Sequence, residues 1–101
     1  MNQIERIKTM DLQLDRASQA VMQLSAALED YAEAQPAIRE LSAYYGSDEW
    51  KQDFADDEEG LLPPDLKRGV LSEDAAWNVL ADSNALNIRM LEVITEILKH
   101  K

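Results

Sequence analysis

From Ile4 to Ala34 the chain contains neither glycine nor proline, and its apolar residues fall into a repeat that only one kind of structure can use. Ile7, Leu14, Val21 and Leu28 stand seven apart, and Met10, Ala17, Leu24, Tyr31 and Ile38 interleave three residues later. A 3-4 alternation held over more than three heptads marks one stripe of a long α-helix, a coiled-coil-like seam. Good helix formers dominate the run. At ~1.5 Å per residue it spans about 45 Å, too long to be stable without a partner surface.

Pro36 is the first interruption. It predicts either a kink or a restart, with proline in the first turn where its missing N–H costs little. The pattern resumes through Ile38, Leu41 and Tyr45, and Gly46 supplies a stop. The first long helix is therefore expected over about 3–45. Ser47 is an N-cap candidate, followed by Asp48 and Glu49 at the positive end of a short helix over about 48–58. That helix places Trp50 and Phe54 on one face, with Leu61 beyond, and Gly60 ends it. A turn over 60–71 follows, built on Pro63-Pro64 and Gly69. Ser72 then caps a last helix over about 73–99, with Glu73 and Asp74 in its first turn. Its apolar positions make two adjoining stripes, one through Val79, Leu86 and Val93, the other through Trp77, Leu80 and Leu91. Asn84 and Asn87 interrupt them. The expected fold is all-α: an antiparallel hairpin of two long helices, with the short acidic helix and proline turn inserted between them, as one domain over 1–101. Packing inside the hairpin is the expected main use of the first stripe; the spare face on the last helix is the better candidate for an outside partner. Trp77 is expected in the core.

Charge is concentrated in the middle. Acids outnumber Lys plus Arg twenty to ten, and residues 46–66 hold eight of those acids against Lys51 alone. Such a surface repels phosphate backbones, so direct nucleic-acid binding is not expected, whereas a basic protein surface is a suitable partner. Asp56, Asp57, Glu58 and Glu59 crowd the negative end of the short helix, which calls for compensation. A turn at Pro63-Pro64 would bring Lys67 and Arg68 back to provide it. The chain has no cysteine, which excludes disulfides and thiolate metal sites. No signal peptide or membrane span is apparent, and a cytoplasmic location is the expectation.

Tyr44-Tyr45-Gly46-Ser47, Glu49-Trp50, Asp53 and the run from Gly60 through Pro63-Pro64, Lys67-Arg68-Gly69 and Ser72 to Asp74 resemble the signature of the bacterial domain of unknown function family 4298. The resemblance covers most of the chain. It implies a short bacterial helical protein and carries no assigned activity, so no catalytic or binding residue comes with it.

Two chemical readings compete with a plain interaction surface. Glu49, Asp53 and Asp57, four apart, share a helical face with Asp56 close by, an arrangement that suits Mg²⁺ or Mn²⁺ and would support a metal-dependent hydrolase of phosphate-containing small molecules. Such enzymes pool carboxylates from two helices, and the last helix offers mainly Glu73, Asp74 and Asp82. The stretch also fails the EF-hand pattern, because Ala55 falls where the first ligand belongs. Nucleophilic catalysis has one histidine, His100, beside the C-terminus, and serines that capping already explains. The alternative is an acidic mimic of nucleic acid. The main expectation is a non-enzymatic interaction or regulatory module with no cofactor. Its partner-binding residues are Tyr44, Tyr45, Trp50, Phe54, Lys67 and Arg68, and its partner is a protein, a second copy of the chain included.

Overall fold

The computed structural model describes residues 2–101. Among these the chain is all-α, with no strand: α1 over Gln3–Glu33, α2 over Gln35–Tyr44, α3 over Asp48–Glu58, a 3-10 turn over Gly69–Leu71 and α4 over Ala75–Lys99. It divides into two compact units, residues 1–36 and 37–101.

In the first unit, α1 runs unbroken for 31 residues. Asn2 caps it, its side-chain oxygen accepting from the Glu5 N–H at 2.8 Å and satisfying one of the four orphan donors of the first turn. The last turn carries no basic residue, so nothing there complements the helix dipole. No residue of α1 is buried. The seam residues Ile7, Met10, Leu14, Val21, Leu24 and Leu28 are between 52% and 69% exposed. α1 ends at Glu33 and α2 restarts at Gln35, with Pro36 in its first turn, for a definable reason. Proline has no N–H to continue the ladder, and the Gln35 side-chain amide donates to the Tyr31 carbonyl at 2.9 Å in place of a backbone bond.

The second unit is organised by its glycines and by the 3-10 turn. Gly46 and Gly60 have φ of 80° and 72°, the left-handed conformation that ends a helix and that side chains resist. After α3, Leu61 N–H bonds Asp56 C=O and Gly60 N–H bonds Asp57 C=O, both at 3.0 Å, a complete Schellman closure. Ser47 caps α3, its Oγ accepting from Trp50 N–H at 3.1 Å. Ser72 accepts from Ala75 N–H at 3.1 Å, and Glu73 and Asp74 precede the first helical residue of α4. The 3-10 turn packs against both α3 and α4. The buried core lies there: Leu71 is 6% exposed and Ala76 3%. One expectation is corrected at this point. Trp77 is 58% exposed; its neighbour Ala76, at 3%, is the residue that α4 buries near its start, where the helix packs on the 3-10 turn. Leu61, beyond the Schellman closure, is exposed.

Candidate functional site

The connector between α2 and α4 forms a clasp around the 3-10 turn. Trp50 and Phe54, one helical turn apart on α3, stack with ring centroids 5.3 Å apart and planes at 25°. Tyr45 meets Trp50 edge-on at 5.0 Å and 64°. Both arrangements suit the quadrupoles of the rings. Each ring with a polar end also uses it. Trp50 Nε1–H donates to the Val70 carbonyl at 3.1 Å, which ties α3 to the 3-10 turn. The Tyr45 hydroxyl donates to the Glu73 carbonyl at 3.1 Å, which ties the end of α2 to the approach of α4. The Tyr44 hydroxyl donates to Asp53 Oδ2 at 2.5 Å. That bond, reinforced by desolvation and by the negative charges of Asp53 and Glu49, pushes the Tyr44 phenol up to about 12.

Arg68 fastens the proline turn. Its Nη1 lies 2.6 Å from Asp57 Oδ1, and its Nη2 donates to the carbonyls of Pro63 at 3.2 Å and Pro64 at 3.0 Å. One planar guanidinium thus serves a helix-end carboxylate and two carbonyls, a set of directions a lysine cannot supply. This is the compensation that the crowded acids of α3 require. Lys67 does not share the role: among the described residues it has no ion pair.

Between these parts lies an open cleft of about 260 Å³, lined by Tyr44, Asp53, Leu62, Leu66 and Lys67, with Val70 and Leu71 at its apolar side. The six expected partner-binding residues are brought into one neighbourhood, with Tyr44, Lys67 and Arg68 on the cleft and Tyr45, Trp50 and Phe54 behind it in the aromatic cluster. Leu62, Leu66 and Val70 are additional lining residues. Their signal in the sequence was an apolar run spaced around two prolines, with no period from which to read a face.

Three of the four carboxylates expected to hold a cation carry a side-chain partner, and the fourth, Glu49, is exposed. Asp53 accepts from Tyr44, Asp57 pairs with Arg68, and Asp56 accepts from the Gln52 side-chain amide at 2.8 Å. Among the described residues no three Asp, Glu or His side chains converge as a ligand set. A single helical face fans its acids along the axis, whereas a closed oxygen cage draws ligands from more than one direction. The serines weighed for nucleophilic chemistry, Ser47 and Ser72, each accept a helix-capping hydrogen bond. His100 lies 3.9 Å from Glu96 on the exposed end of α4.

The architecture defines a class: a small all-α protein whose connector, instead of wandering as a loop, is held as an aromatic and arginine clasp. The chain belongs to the family described as Domain of unknown function (DUF4298), whose model matches residues 7–93. No curated protein and no solved structure matches it. Among the described residues, no helix is long and apolar enough to cross a membrane.

Proposed function

We propose that this is a non-enzymatic interaction module of the bacterial cytoplasm, in which residues 44–71 hold a basic segment of a partner protein by one apolar side chain. The observation that carries this reading is the cleft. At about 260 Å³ it falls below the roughly 300–1,000 Å³ of typical small-molecule sites, which suits a single side chain better than a nucleotide or cofactor. Its lining is largely apolar, with Leu66 48% and Val70 38% exposed, so a partner side chain would remove apolar surface from water on both sides.

Charge gives the partner its sign. Asp48, Glu49, Glu58, Glu59 and Asp65 are exposed around this connector, and Lys51 and Lys67 are the exposed cations among them. A basic partner would be steered by this field and rejected less at close range than an acidic one. The internal bonds of Tyr44, Trp50 and Arg68 support the reading as well, because a preformed surface loses less freedom on binding.

Affinity purification from the native host tests it with Leu66→Asp, which charges the cleft, and with Glu49→Lys plus Asp65→Lys, which reverses the rim. Both changes lie on exposed side chains and are expected to leave the helical circular dichroism unchanged. The expected result is a basic protein retained by the wild type, lost with Leu66→Asp, and retained several-fold less by the rim variant at low salt, a difference that narrows as salt rises. Retention indifferent to both variants would end the proposal.

A further inference from the structure

We propose that α1 pairs with α1 of a second copy of this chain, parallel and in register, through the Ile7–Leu28 seam. The inference rests on the first unit alone and is independent of the cleft. A helix of 31 residues with no buried side chain depends on propensity, which is marginal support for a seam of large apolar residues left in water. With Ile7, Leu14, Val21 and Leu28 at the first core position of the heptad, Met10, Ala17, Leu24 and Tyr31 take the second. Ile7 and Val21, β-branched at the first position, together with Leu24 at the second, favour two strands.

The flanking positions choose the partner and its direction. Arg6 and Asp11 occupy the two opposite flanks of the seam, five residues apart. In a parallel pair these flanks face each other with that offset, so Arg6 of each chain meets Asp11 of the other, making two opposite-charge contacts. In an antiparallel pair like flanks face each other, and Arg6 and Asp11 never meet. Beyond them the flanks carry Gln13, Ser18, Ala20, Ser25 and Ala27, so no like charges are juxtaposed when the chain meets itself. Self-pairing therefore meets no electrostatic penalty along the seam, and one orientation gains from it.

The full chain in sedimentation equilibrium provides the test. A monomer–dimer equilibrium is expected, with helicity at 222 nm rising with concentration. Arg6→Glu alone, or Asp11→Lys alone, is expected to weaken the dimer roughly tenfold, because each replaces two attractions by two repulsions. Mixing the two variants restores attraction at both contacts, so the mixed dimer is expected in excess over either self-dimer. Direction is read by crosslinking, since the chain has no cysteine of its own. Under oxidation Leu14→Cys chains, and separately Leu24→Cys chains, are expected to link to themselves. A chain that stays monomeric at high micromolar concentration overturns the proposal, as does crosslinking only between Leu14→Cys and Leu24→Cys chains. Neither result bears on cleft binding, which is scored with different residues.

Discussion

α1 is a single helix and the clasp is about half helix and half turn, and the two are held by different forces. α1 has an N-cap, a strong apolar repeat and not one buried residue. The segment from Tyr44 to Ala76 has less regular sequence, and its polar side chains find specific partners up to 28 residues away. The first region is specified by what each residue prefers locally. The second is specified by which distant groups meet. Substitutions should therefore register in opposite ways: by average propensity along α1, by identity in the clasp.

The same change made in each region gives the largest contrast. Leu71→Ala is expected to destabilise the second unit by about 2–4 kcal/mol, because a buried leucine leaves a cavity beside Ala76. Leu14→Ala in dilute solution should cost less than ~0.5 kcal/mol, as it removes only exposed surface. Urea unfolding followed by tryptophan emission for the clasp and by helicity for the whole chain measures both, and equal costs would break the comparison. Next comes Arg68→Ala, expected to cost about 1–2 kcal/mol, a value held down by the partial exposure of both partners, 31% and 23%. Arg68→Lys should recover less than half of that, and full recovery would show the fork to be unnecessary. Gly60→Ala follows at roughly 1 kcal/mol, since its added methyl meets nothing within 4 Å and only the positive φ is penalised. Gly60→Asn should lose less.

The smallest effect is a pH dependence. The Tyr44 phenol, normally 10.0, is pushed up to about 12 by its bond to Asp53. The unfolded chain then releases the proton before the folded one does. Stability from this bond is intact below pH 10 and lost as pH rises toward 12. Thermal unfolding across that window should decline more steeply for the wild type than for Tyr44→Phe, and absorbance at alkaline pH should show one late-ionising tyrosine. Identical declines would remove the Tyr44–Asp53 bond from the account.

Most of the helical order was legible because it is written in punctuation. Gly46, Gly60, Ser47 and Pro36 announce their turns, caps and breaks through backbone chemistry that needs no tertiary context. The Asn2 cap was available to the same reasoning, an amide side chain three residues ahead of Glu5. The core was harder. Trp77 offers far more apolar surface than Ala76, yet Ala76 is the residue that is buried where α4 packs on the 3-10 turn, and that packing depends on where the chain re-enters. The choice of Arg68 over Lys67 was equally hidden. Two adjacent cations look alike in a charge count, and only the positions of Asp57 and the two proline carbonyls distinguish a fork from a point charge. The spacing of the acids on α3 was visible in the sequence, whereas the partners of Asp53, Asp56 and Asp57 were not.

Trp50 and Trp77 are the chain's two indoles, and they sit in opposite circumstances: one hydrogen-bonded to the Val70 carbonyl and stacked on a ring, the other mostly in water. The molecule thus carries its own optical gauge. With Trp77→Phe to silence the wet signal, the emission colour of the remaining indole would follow the seating of the Val70 segment in real time, without a dye or an added label.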